Sequence, residues 1–83
     1  MVNSEQKIRQ LIIENIQSGN TRLAAELADG LKSTEFKDLI ALSDCENILM
    51  YGSPSEKKCV LEIAKSLEKS LHEKYNIERL YYQ

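Results

Sequence analysis

Apolar residues recur at three- and four-residue steps along most of this chain, the period of an amphipathic helix. The clearest stretch is 53–76, S-P-S-E-K-K-C-V-L-E-I-A-K-S-L-E-K-S-L-H-E-K-Y-N. Val60, Ile63, Ala64, Leu67 and Leu71 form one row, closed by Tyr75. Ser53 fits an N-cap, Pro54 the first helical position and Glu56 the third, which is a capping box. Asn76 tolerates the left-handed conformation that ends helices, and Ile77 then folds back on Leu71. The spacing predicts a helix of about 22 residues and about 33 Å. A compact chain of this length is near 30 Å across, so the helix would cross the whole domain, with every other element packed on its stripe.

Three further helices precede it. The first is expected from Ser4 to Gln17, capped by Asn3, with Ile8, Leu11, Ile12, Ile13 and Ile16 apolar and Gly19 as its terminating glycine. The second is capped by Asn20 or Thr21 and runs to Asp29 with Leu23, Ala24, Leu27 and Ala28 as its stripe. Gly30 ends it in the same manner. The two-residue Gly19–Asn20 link folds these helices into an antiparallel hairpin or a sharp corner. The third helix starts at Ser33 or Thr34 and ends near Leu42. Residues 44–51 then read in two ways. Ser43 with Glu46 makes a second capping box, favouring a short helix closed by Gly52. The run Ile48–Tyr51 also reads as a buried strand, able to pair with the tail I-E-R-L-Y-Y-Q. The expected fold is therefore one all-α domain, 1–83, a bundle of four to five helices. The alternative is α+β, with strands near 47–51 and 77–82.

Composition supports a globular chain: 42% hydrophobic and 29% charged residues, one Pro, three Gly and no Trp. A net charge of −2 leaves no electrostatic footprint for nucleic acid or an anionic membrane. The N-terminus has no apolar signal core, and no apolar run is longer than the four residues of Ile48–Tyr51, far too short to span a bilayer. A cytoplasmic setting follows, with Cys45 and Cys59 expected as free, buried thiols.

Candidate chemistry is sparse. His72 stands four residues after Glu68 and beside Glu73, and reads as a surface imidazole next to solvated carboxylates. The glycines lie in no phosphate-cradling pattern, and one His with two Cys fourteen apart gives no zinc spacing. No catalytic, cofactor-binding or metal residue is assigned, and the chain is read as a non-enzyme. Residues 21–40 have the rhythm of a helix-turn-helix, which makes a DNA-binding regulator the alternative function. Charge opposes it: residues 33–52 hold Lys37 alone against Glu35, Asp38, Asp44 and Glu46. Tyrosine gives the stronger lead, because Tyr75, Tyr81 and Tyr82 cluster beside Leu80 near the end of the sequence. Tyr supplies large contact area at low entropic cost. The expected function is a protein–protein interaction or regulatory module, an adaptor, inhibitor or small subunit, binding another protein or a second copy of itself. Its contact residues are expected to be Tyr51, Tyr75, Leu80, Tyr81 and Tyr82.

Overall fold

A computed structural model describes residues 4–31 and 34–83. Among them are four helices and no strand: α1 (Ser4–Gln17), α2 (Thr21–Asp29), α3 (Lys37–Tyr51) and α4 (Pro54–Tyr75). Each helix packs on its neighbour in sequence, and α1 closes the ring on α4. The all-α expectation holds, and the α+β alternative does not. Ile48–Tyr51 is the last turn of α3, and residues 77–82 are irregular.

The α4 boundary signals all operate. Ser53 Oγ accepts from the Glu56 N–H at 3.3 Å, and Glu56 Oε1 accepts from the Ser53 N–H at 3.0 Å. Asn76 is left-handed at φ 61°, and its N–H donates to the His72 carbonyl at 2.8 Å. That single bond is the simpler left-handed C-terminal motif. At the end of α1, Gly19 takes φ +88°. Its N–H donates to the Ile16 carbonyl and the Asn20 N–H to the Asn15 carbonyl, which together are a Schellman motif. Gly30 differs from expectation. It stays right-handed at φ −74°, ψ −17°, and tight bonds from Gly30 to Leu27 and from Leu31 to Ala28 close α2.

Asn3 and Ser33, two of the expected caps, lie outside the described residues. Asn20 occupies the cap position of α2 without a side-chain capping bond. The largest departure is α3, which starts at Lys37 behind Phe36 and runs unbroken to Tyr51. Leu39, Leu42 and Cys45 are buried and Leu49 packs on the core, one apolar row that passes straight through the expected break at Ser43. The Ser43–Glu46 capping box is unused because Glu46 has another partner, the Thr21 hydroxyl at 2.7 Å. Tertiary packing overrides the local signal.

Lys74 Nζ lies 3.8 Å from Asp38, while Gly52 and Ser53 join the other ends, so α3 and α4 run antiparallel. Gly52 permits the tight join: a Cβ there would fall 2.6 Å from the Ile48 carbonyl oxygen. Early in α1, Arg9 reaches past the end of α2 to Glu35, which sets α1 and α2 side by side as a hairpin. Ala24, Ala25 and Ala28 present small side chains to the neighbouring helices. Leu11 and Leu23, expected on the stripes, are half exposed instead.

The described chain extends 50 × 22 × 17 Å, so α4 does not cross a rounded domain. The α1–α2 hairpin covers one half of the α3–α4 hairpin. The buried core comprises Ile12, Ile16, Phe36, Leu39, Leu42, Leu71 and smaller neighbours. Between Cys45 and Ala64 no residue is buried. The distal half of the α3–α4 hairpin, ending at Gly52, therefore projects as an arm.

Candidate interaction surface

The five expected contact residues occupy three separate places. Tyr75, at the base of α4, stacks its ring on Phe36 with centroids 6.1 Å apart and an interplanar angle of 30°. Its hydroxyl donates to Glu35 at 3.5 Å. Burial first, then the Glu35 carboxylate, raises its pKa above the ordinary phenol value. Glu35 also takes a bidentate grip from Arg9, whose Nε and Nη2 approach to 2.9 and 2.6 Å. That guanidinium holds the Glu35 carboxyl below the usual carboxylate range. Tyr75 thus seals the base of the bundle.

Leu80, Tyr81 and Tyr82 belong to the tail, which turns back along α4. The Glu78 N–H donates to the Gln17 carbonyl at 2.9 Å, and Gln17 Nε2 donates to the Tyr75 carbonyl at 2.9 Å. Further on, Gln83 Nε2 reaches the Lys65 carbonyl at 2.7 Å. Between these ties stands Glu68. Its spacing beside His72 reads as a solvated charge, yet it is only 2% exposed. Its Oε2 accepts the Tyr81 N–H at 2.8 Å and its Oε1 the Tyr82 N–H at 3.0 Å. The signal was present in the spacing, since Ala64, Glu68, Leu71 and Tyr75 share one face at four-, three- and four-residue steps. A carboxylate in that row had to be matched by donors, and the two tail amides supply them.

Leu80 and Tyr82 are half-buried against the core. The Tyr82 hydroxyl is pushed up to about 12, chiefly by burial and then by the Glu46 and Glu68 carboxylates. Tyr81 lies outward, 61% exposed, with its ring against Gly19, where a Cβ would come within 3.2 Å. Gly19, Thr21, Glu46, Tyr81 and Tyr82 line an open groove at this corner. Beside it, Arg22 bonds to Asn47 Oδ1 at 2.9 Å and contacts Met50 Sδ at 3.3 Å, fastening α2 to α3.

Tyr51 stands apart at the end of the arm, 79% exposed. Its surroundings were not singled out from the sequence. Ile63, expected on the packed stripe of α4, is 53% exposed. Cys59, expected buried, is exposed, whereas Cys45 is buried and its thiol is pushed up by burial. Both positions lie on the same outward side of α4 as the exposed Ser66, whereas Val60 and Ala64 turn to the core. A shallow groove of the arm brings Ile48 together with Ser55, Glu56, Cys59 and Val60. On α3, Tyr51 follows Ile48 by three residues, and on α4, Ile63 follows Cys59 by four, so each pair shares one face of its own helix.

His72 is half-buried, not superficial, and among the described residues its Nδ1 has no hydrogen-bond partner. Glu68 turns to the tail instead of to this imidazole. Among the described residues there is no group of three or more His, Cys, Asp or Glu placed to hold a metal ion, and no helix is long and apolar enough to cross a membrane. No family model, curated protein or solved structure matches the chain.

Proposed function

We propose that the chain is a non-enzymatic, cytoplasmic protein–protein interaction module whose binding surface is the arm formed by the distal halves of α3 and α4. One observation carries this reading. From Glu46 to Ile63 no residue is buried, although the segment holds Ile48, Leu49, Met50, Tyr51, Val60, Leu61 and Ile63. Apolar side chains grouped on a projecting element are what a protein partner can cover, since their burial is favourable at about 25 cal/mol per Å². The rest of the molecule supports the assignment by contrast. Its tyrosines are mostly engaged: Tyr75 on Phe36, and Tyr82 against the core. Tyr81 extends the exposed surface at the α1–α2 corner but lies nearer the base.

The test is capture of partners from a cell extract on immobilised protein, compared with a Tyr51→Asp/Ile63→Asp variant of unchanged helical circular dichroism. Enrichment of a discrete protein by the native chain and its loss with the variant is the expected result. Equal capture by both would refute a binding role for the arm, as would no capture by either from a chain that is also monomeric by light scattering.

A further inference from the structure

Residues 77–83 take no helix or strand, so their backbone groups depend on partners elsewhere in the fold. Two successive amides, those of Tyr81 and Tyr82, converge on the single carboxylate of Glu68. The side chains alternate around this anchor. Leu80 and Tyr82 pack against the core, and Tyr81 lies outward with its ring over Gly19. The Glu78 N–H on the Gln17 carbonyl and the Gln83 side chain on the Lys65 carbonyl complete the attachment. The segment thus fills a cleft between α4 and the corner where α1 meets α2. It is held there as a short bound peptide is held, by its backbone amides and by two side chains set into an apolar wall.

Glu68 is the informative residue. Among the described residues no Lys, Arg or His forms an ion pair with it, and the two amides satisfy its oxygens. Its neighbours on the same buried row are Ala64 and Leu71. For a permanent contact an apolar residue in that row would pack without the desolvation cost of a carboxylate. A carboxylate suits a seat that empties and refills. With the segment in place it reads N–H groups, which nearly every residue of any peptide carries. With the segment away it takes up water again, whereas an apolar residue would be left as exposed apolar surface.

We propose that residues 77–83 are a displaceable internal ligand, and that the cleft they fill is a second binding site, for a short non-helical segment of another protein. That segment presents two successive N–H groups to Glu68, with an apolar residue just before them and an aromatic side chain on the second. The site is distinct from the arm, and the chain's own tail keeps it closed until a competitor takes its place. A tethered segment acts at an effective concentration of about 1 mM or more, so a partner displaces it by binding the open cleft well below that concentration.

The probe is a fluorescein-labelled peptide with the sequence of residues 77–83. Full-length protein carrying Leu80→Ser and Tyr82→Ser, with helical circular dichroism unchanged, has a weakened tail and an open cleft. Fluorescence anisotropy should give a Kd of about 10–100 µM for this variant and binding at least about 10-fold weaker for the native chain, whose cleft is occupied. A peptide analogue with esters in place of the Tyr81 and Tyr82 amides lacks both donors and should bind at least about 10-fold more weakly than the peptide, a loss that a purely apolar contact would not show. In the native chain, which needs no substitution, amide exchange at Tyr81 and Tyr82 should be at least about 10-fold faster than at Leu42 and Cys45, because the tail opens without the core. Tail amides as protected as those of α3, no binding by the folded variant at about 1 mM peptide, or equal binding of peptide and ester analogue would each overturn the proposal.

Discussion

Replacing Glu68 with alanine is the sharpest probe of what orders the tail. The carboxylate is 2% exposed and accepts the Tyr81 and Tyr82 amides at 2.8 and 3.0 Å. Hydrogen bonds to an ionised group contribute about 1.5–3 kcal/mol each, so the two together are worth at most about 6 kcal/mol. Removing the carboxylate also removes its own desolvation penalty, and the freed tail amides can turn out to water, which lowers the net loss. The expected cost is about 2–3 kcal/mol. A domain of this size has a total stability of about 4–12 kcal/mol, so the change would be prominent. Urea unfolding followed by circular dichroism should show the midpoint falling with an unchanged slope. Melting should drop by about 10–20 °C, since each kcal/mol shifts a domain of this length by about 4–8 °C. Amide exchange at Tyr81 and Tyr82 should accelerate by orders of magnitude while exchange in the α3 core, at Leu42 and Cys45, tracks only the global change. Glu68→Gln keeps one acceptor oxygen and turns an NH₂ group toward the other amide, so it should rescue little. A Glu68→Ala protein within 0.5 kcal/mol of native stability, with Tyr81 and Tyr82 amides protected as before, would refute the idea that this carboxylate holds the tail.

Three more expectations can be checked directly. Gly52→Ala sets a Cβ 2.6 Å from the Ile48 carbonyl oxygen, so the α3–α4 join must shift; denaturant unfolding should show a loss of about 1–3 kcal/mol. The Tyr82 hydroxyl is raised to about 12 in the folded chain, above the ~10 of an unfolded tyrosine. Its neutral form is thus favoured by folding, a contribution fully present below pH 10 and lost between about pH 10 and 12. Ultraviolet titration should show one late-ionising tyrosine in addition to Tyr75, and Tyr82→Phe should remove that step and reduce the loss of stability across that window, leaving the Tyr75 contribution. For the helix-turn-helix alternative, filter binding at low salt should retain no generic duplex at micromolar protein, and salt-sensitive retention would revive it.

What the sequence made legible was local. The limits of α4 rest on Ser53, Pro54, Glu56 and Asn76, each acting within a few residues of its place in the chain, and all four behave as their chemistry dictates. The end of α1 at Gly19 is equally local. Non-local competition is what sequence periodicity misses. Ser43 and Glu46 form a capping pair on paper, but Glu46 is taken by Thr21 from another helix and the break never forms. Ile63 sits on the row that periodicity assigns to the core and Cys59 is expected buried, yet both are exposed, because the covered side of α4 is the narrower one that carries Val60, Ala64, Leu67 and Leu71. Glu68 is the reverse case. Its position on the buried row was visible, but its partners are backbone amides of the tail, which no side-chain pattern announces. The candidate surface is half legible for the same reason: Tyr51 and Tyr81 can be named, while the exposure of Ile63 and Cys59 depends on which side of α4 the other helices cover.

The uneven distribution of buried residues divides the chain's tolerance to change. Substitutions from Cys45 back toward the base, or beyond Ala64, alter contacts on which folding depends, and most would be removed by loss of stability. Between Glu46 and Ile63 the exposed positions Tyr51, Lys58, Cys59 and Ile63 meet few such contacts, whereas Glu46, Asn47, Gly52, Ser53 and Glu56 hold bonds or a tight join. Those exposed positions are free to acquire new side chains at low cost to the fold, so the outer surface of the arm can diverge while the scaffold beneath it stays the same.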